Sequence, residues 1–275
     1  MTLSVLCAMI LLQALAMAAF MAGAWLVRRL TGNSGWIDTT WTFAVGIVGA
    51  ASALITLGDH DVSSRQHLVV ALVVCWSLRL GGHIALRTWA GTDDPRYAAL
   101  AREWGDDASR RMFQFAQIQA AVAIPLLVTI AVAAHAPAQA LGSADWLGAA
   151  VLAAGIAGEG VADHQLRQFA ADPAAKGQVC DRGLWSWSRH PNYFFQWLGW
   201  LAYPILCFGQ LATYPWALLT LSGALCMYWL LVHVSGIPPL ERHMLASRGD
   251  AFRAYQARTN AFFLGPHRAP DARRA

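Results

Sequence analysis

Apolar runs about twenty residues long recur along this chain, and they limit what it can fold into. At 1.5 Å per residue, a helical run of that length crosses the roughly 30 Å hydrocarbon core of a bilayer. We place spans at Leu3–Val27, Trp36–Leu57, Leu68–Leu86, Phe113–Ala134, Trp146–Ala162, Tyr193–Phe208 and Leu211–Val234. Tyr193–Phe208 is short and holds Pro204, so it is expected to be tilted, broken or re-entrant. Backbone polar groups in lipid must be satisfied within their own segment. The expected fold is therefore an all-α polytopic membrane protein of about seven helices. Composition agrees: 57% of the 275 residues are hydrophobic and 13% are charged. A soluble domain carries about a quarter charged residues. A soluble enzyme, an extracellular disulfide scaffold and a disordered chain are all excluded on this ground.

The basic residues give a direction. Arg28 and Arg29 follow the first span, which has no basic residues before it and reads as an uncleaved anchor. Of the 20 Lys and Arg, all but Arg65 and Arg79 fall in alternate connections. Those connections are Arg28–Arg29, Arg87–Arg111, Arg167–Arg189 and the tail from Arg242 through Arg248, Arg268, Arg273 and Arg274. The positive-inside rule then places the N-terminus outside and the C-terminus in the cytoplasm. The expected location is a bacterial-type inner membrane. The active site opens to the cytoplasm, because the cytoplasmic segments hold the Asp, Glu, His, Tyr and Arg. No linker or repeat marks a second domain. We expect one helical domain over 1–275, with 146–265 as its cofactor-binding half. The five cysteines form no CxxC pair and read mostly as small buried apolar residues. The sequence sets no oligomeric state.

Four groups of residues can carry chemistry. The first is Gly183–Tyr193, where Arg189-His190-Pro191-Asn192-Tyr193 stands at the mouth of a span. Pro191 suits the first turn of a helix, and a cation beside the free N–H groups there favours an anion. An aromatic belt with snorkelling arginine accounts for Trp185 and Trp187, but poorly for the packed polar order. The second is Glu159–Arg167: on a continuing helix Glu159 and Asp163 share a face. Two carboxylates so placed need donors, from a ligand or from Arg167 or Arg189. The third is the tail, with Ser235-Gly236-Ile237-Pro238-Pro239-Leu240-Glu241-Arg242, then Arg253, Tyr255, Arg258 and Thr259. It folds back to hold phosphates, or lies as a basic helix on lipid headgroups. The fourth comprises Asp38, Arg79 and His83, which form an ion-pair network or part of a substrate cavity. Rossmann, P-loop and HExxH motifs are absent. Although His60, Asp61 and His67 are close in sequence, their spacing is unspecific and no metal is expected. Without base-stacking aromatics on a basic surface, nucleic acid is not an expected partner.

Gly183–Tyr193, the Glu159–Arg167 stretch, the Ser235–Glu241 turn and the Tyr-Arg tail together resemble the DUF1295 membrane proteins, which group with the steroid 5-alpha-reductase-like proteins. Gly35–Trp41, Leu78–Arg87, Asp94–Tyr97 and Trp104-Gly105 extend the resemblance over about residues 33 to 265. It implies an NADPH-dependent reductase of a carbon–carbon double bond in a lipidic enone, held among membrane lipids. It also implies that Asp163 and Asn192 orient the nicotinamide, and that Arg167, Arg189, Arg253 and Tyr255 meet phosphate or ribose. Glu159, His190, Tyr193, Gln196 and Glu241 complete the implied cofactor set. Asp38, Arg79 or His83 would meet charge on the enone oxygen. Where relatives commonly carry Gly-Glu, this chain has Phe195-Gln196. The steroid reductases also use a Glu and a Tyr from N-terminal spans that have no evident match here. Arg189–Tyr193 with Glu241 also resembles the isoprenylcysteine carboxyl methyltransferases, which bind S-adenosylmethionine. A lipid-binding or transport protein on the same scaffold is a third reading.

Overall fold

The computed structural model describes residues 1–57, 61–91, 93–138 and 140–267. His60, and the tail arginines Arg268, Arg273 and Arg274, lie outside them. The helices are α1 (Leu3–Thr31), α2 (Gly35–Leu54), α3 (Ser64–Ala90), α4 (Pro95–Trp104), α5 (Ala108–Val122), α6 (Ile124–Ala134), α7 (Ser143–Ala171), α8 (Leu184–Trp187), α9 (Pro191–Trp200), α10 (Ala202–Leu206), α11 (Leu221–Trp229) and α12 (Ile237–Arg258). Among the described residues there is no strand. Among the described residues, six helical runs are long and apolar enough to cross a membrane. The protein is an all-α, multi-pass membrane protein.

The difference from about seven spans lies at Tyr193–Phe208. Leu201 ends α9 with its N–H on the Leu198 carbonyl, and α10 then runs for five residues around Pro204, which has no N–H. Neither piece spans a bilayer alone. Other ends move outward. α7 continues nine residues past the expected stop at Ala162, so Glu159 and Asp163 do share one helix face. Asp172-Pro173 stops the helix, not the arrival of polar side chains.

The chain divides into two compact units, Met1–Ala149 with Ala202–Cys226, and Ala150–Leu201 with Met227–Ala275. In the first, small residues let α2 and α3 approach closely, as is usual between membrane helices. A Cβ on Gly46 would lie 2.4 Å from the Ser77 Cβ, and one on Gly81 would lie 2.8 Å from the Phe43 ring. Ile37, Val45, Met112, Leu126 and Ile130 are fully buried, whereas Leu11, Leu15, Leu78 and Trp89 face outward, as a lipid-immersed surface requires. At one end of α3 the buried Arg65 pairs with Asp145, Nε to Oδ1 at 2.8 Å and Nη2 to Oδ2 at 2.9 Å. Arg87 lies roughly 33 Å along the same helix. Near that end the Trp25 indole donates to the Ser109 carbonyl at 2.9 Å, so the Arg28–Arg29 end of α1 is level with the start of α5. Arg28, Arg29, Arg87, Arg110 and Arg111 are thus gathered toward one end of this unit, with Arg65 at the other and Arg79 between them on α3.

In the second unit α7 and α9 cross on glycines. A Cβ on Gly155 would meet the Phe195 carbonyl oxygen at 2.8 Å, and one on Gly158 would meet the Phe195 ring at 2.3 Å. The Phe195 ring therefore occupies the slot that Gly158 leaves open. After α11 the chain makes one π-turn over Leu230–Val234, and Pro238-Pro239 opens α12. Gly249, at φ +51°, kinks α12.

Candidate functional site

The second unit builds a polar cluster from the segment before α9 and the returning α12. Gly183, at φ +58°, starts α8 where a Cβ would strike the Gln165 carboxamide at 2.6 Å. The Gln165 Oε1 accepts the Leu184 N–H at 2.9 Å, and the Trp185 indole donates to the Ala162 carbonyl at 2.9 Å. α8 is thereby fixed to the end of α7. From the other side, the Arg189 N–H donates to the Asn260 carbonyl at 2.8 Å, and the Gly265 N–H donates to the Trp187 carbonyl at 3.1 Å. The Ser188 hydroxyl donates to the Phe262 carbonyl at 2.9 Å. The buried Tyr255 hydroxyl donates to the Trp185 carbonyl.

Glu241 stands at the centre. Its Oε1 accepts from Arg189 Nε at 2.7 Å and from His190 Nε2 at 3.0 Å, and its Oε2 accepts from Gln256 Nε2 at 2.7 Å. Arg189 Nη1 also donates to the Thr259 carbonyl at 2.6 Å and the Gln256 carbonyl at 3.2 Å. Burial pushes the His190 imidazole below its ordinary value, and the Glu241 bond opposes that shift without reversing it. A neutral ring that donates from Nε2 carries a bare lone pair on Nδ1. That Nδ1 is buried and has no hydrogen-bond partner among the described residues. Two residues on, Asn192 Nδ2 donates to Asp163 Oδ1 at 3.5 Å, while Asn192 Oδ1 is likewise buried and unpartnered. Buried acceptors are seldom left unsatisfied. Two of them at the mouth of α9 suit a ligand that brings N–H or O–H donors.

The remaining expected residues fall as follows. Glu159 and Asp163 are buried on one face of α7, and Arg167, one turn on, is exposed. The Tyr193 ring stacks on His190 at 5.4 Å, and Gln196 is buried on α9. Arg253 is exposed and pairs with the exposed Asp250. Tyr255 has its proton committed to Trp185, so it offers a ligand only an acceptor. Thr259, expected in the tail group, binds Arg189 through its carbonyl, whereas Gln256, which binds Glu241, carries no sequence signal.

In the first unit Asp38 accepts from Arg96 Nη2 at 2.6 Å and from the Tyr97 hydroxyl. Gln119 Nε2 donates to the Tyr97 oxygen at 2.9 Å. Tyr97 is buried, and Arg96 is also held by Asp94, which caps α4. Burial alone would raise the Asp94 carboxyl; the bonds and charge of Arg96, with Arg87, hold it below the usual range. Arg79 and His83 are half-buried, one turn apart on α3. Tyr97 and Gln119 were not singled out from sequence, since isolated polar residues near span ends carry no periodic pattern.

Long apolar helices carrying a buried polar cluster define the class: a polytopic α-helical membrane protein. Residues 24–259 match the family described as "Protein of unknown function (DUF1295)", and the chain belongs to that family. No curated protein matches it, and neither does any solved structure.

Proposed function

We propose that the protein is a membrane reductase that uses NADPH to reduce a carbon–carbon double bond conjugated to a carbonyl in a lipidic substrate, with its site open to the cytoplasm. The observation that carries this reading is the pair of buried, unpartnered acceptors, His190 Nδ1 and Asn192 Oδ1. A nicotinamide carboxamide presents two N–H donors, which is the complement of two acceptors. Asp163 holds Asn192 by its amide nitrogen, leaving the oxygen for the ligand. Glu241 fixes His190 as the Nε2–H tautomer, leaving Nδ1 for the ligand. Arg189 supplies positive charge in a fixed position, and the exposed Arg167, one turn beyond Asp163 on α7, suits a phosphate.

When bound, NADPH supplies a hydride to the carbon β to the carbonyl. The two electrons would then reside on the enone as an enolate, which takes a proton from water at the α carbon. Enolate charge calls for a donor.

Ligand-dependent stability tests the reading, because a ligand that binds the folded state raises the melting temperature. Detergent-purified protein should be stabilised by NADPH and not by S-adenosylmethionine, and Asn192→Ala should abolish the NADPH effect. Stabilisation by S-adenosylmethionine alone would replace this reading with a methyltransferase. No shift with any of the ligands would leave a lipid-binding scaffold.

A further inference from the structure

Arg110 and Arg111 take no part in either polar cluster described above. They stand in the first turn of α5, where Arg111, Gln114, Phe115 and Ile118 follow at three- and four-residue spacing. One helix face thus passes from cationic through polar to apolar within two turns. A cavity of about 450 Å³ follows this gradient. Asp107 joins the two arginines and Gln114 at its polar end. Trp104, Phe115 and Ile118 form its apolar end, with the Trp104 and Phe115 rings 6.4 Å apart and Ile118 60% exposed. Both guanidinium groups are exposed, and neither has a hydrogen bond or ion pair within the described residues. The groove lies within Arg96–Ala134, a helical run long and apolar enough to span a bilayer. The Trp25–Ser109 bond sets the Arg28–Arg29 end of α1 at the same level.

We propose that this groove is a binding site for one anionic phospholipid of the surrounding leaflet, of the phosphatidylglycerol type. The proposal does not depend on the reductase reading. Two adjacent unpaired guanidiniums match a phosphodiester, which presents a planar pair of acceptor oxygens. Asp107 would repel a headgroup carboxylate, but it accepts from hydroxyls, as does the Gln114 carbonyl. A glycerol headgroup supplies such hydroxyls. The acyl chain then descends past Phe115 and Ile118 along the apolar part of the helix.

Native mass spectrometry of the full-length protein in detergent, titrated with defined lipids, tests the site. One phosphatidylglycerol should bind in preference to phosphatidylcholine, and Arg110→Gln with Arg111→Gln should weaken it about thirtyfold, at the usual strength of two basic residues near an anionic lipid. Arg28→Gln with Arg29→Gln removes the same charge at the same level without touching the groove, and should weaken binding less than threefold by this reasoning. Ile118→Gln should also weaken phosphatidylglycerol, while inorganic phosphate should fail to compete. Equal losses in the two arginine pairs would overturn the proposal in favour of a diffuse basic belt. Competition by inorganic phosphate at lipid concentrations would overturn the lipid as occupant, and so would equal binding of phosphatidylcholine. A melting temperature kept by the Arg110/Arg111 variant would show that its lost binding is not lost folding.

Discussion

Substituting Glu241→Gln should destabilise the second unit strongly, and the size of the effect follows from the number of donors it serves. Three donors converge on this carboxylate, from Arg189, His190 and Gln256. A carboxylate offers two acceptor oxygens, whereas a carboxamide offers one, so at least one donor would face an N–H₂ group. The Arg189 charge would also lose its counterion at a position where its side chain is only 11% exposed. Removing one member of a buried pair costs about 3–5 kcal/mol. Partial exposure of both side chains reduces this, and we expect about 2–3 kcal/mol. At roughly 2–4 °C per kcal/mol for a chain of this size, the apparent melting temperature should fall by about 5–10 °C. The assay is a detergent melt followed by tryptophan fluorescence, with Asp250→Asn as control. That control breaks the exposed Arg253–Asp250 pair and should leave the melt unchanged. A Glu241→Gln protein melting within about 2 °C of the parent would refute the claim that this carboxylate organises the cluster.

Three further outcomes are expected. Gly155→Ala should cost more than Gly158→Ala, because the first meets the backbone of Phe195 and Gly199 while the second meets a movable ring. Phe195→Ala should restore the melting temperature of Gly158→Ala and not that of Gly155→Ala. Asp145→Asn should destabilise the first unit by about 3–5 kcal/mol in a denaturant or thermal series, since it strands Arg65 in a buried site, whereas Arg65→Met with Asp145→Leu should recover most of that loss. The folded-state pKa of His190 is lowered, so the unfolded chain takes up the proton first as pH falls. Its contribution is present above the ordinary histidine value of about 6.5, and is lost as pH falls from there toward the lower folded value. The melting-temperature difference between parent and His190→Gln should shrink over that interval and stay constant above it; a difference that grows on acidification would reverse the sign of the argument.

The helices were legible because lipid imposes one rule on every span: the segment must satisfy its own backbone. Their ends were not. α7 runs on to Ala171 because Asp163, His164 and Arg167 are tolerated in a helix once it leaves the apolar layer, and only Asp172-Pro173 stops it. The break at Leu201 could be read from Pro204, but it cost the count a span. At the site, Arg189, His190 and Asn192 stood out because they are contiguous. Glu241 stood out too, through the Ser235–Glu241 turn, although it lies 51 residues from His190; Gln256, which also binds it, did not. Tyr255, expected among the phosphate contacts, instead fastens α12 to the Trp185 carbonyl. A tyrosine in an Arg-rich tail looks the same in sequence whether its hydroxyl faces a ligand or a backbone oxygen. In the first unit Asp38 was visible as a charge beside a span. The tyrosine that donates to it was not, because the contact joins α2 to α4 across 59 residues.

Glu241 reaches Arg189 only because the chain turns sharply between α11 and α12, and that turn depends on Gly236. The Ser235 and Gly236 N–H groups both donate to the Leu230 carbonyl, at 2.8 and 3.2 Å, closing the π-turn. A Cβ on Gly236 would then lie 2.4 Å from the Leu231 oxygen and 2.8 Å from its Cα. These are backbone atoms, so no side-chain rotation relieves the contact and the turn itself must open. Pro238 and Pro239 follow at once, and their fixed φ leaves little freedom to absorb the change before Glu241. Gly236→Ala should therefore displace Glu241 from its three donors and lower the melting temperature as Glu241→Gln does. If the glycine acts through that carboxylate, the two losses share a cause. The double variant should then melt close to the lower of the two singles, with a coupling energy of at least 1 kcal/mol in the range seen for residues of one network. Losses that simply add would mean that Gly236 shapes the turn for some other reason, and that the cluster holds its geometry without it.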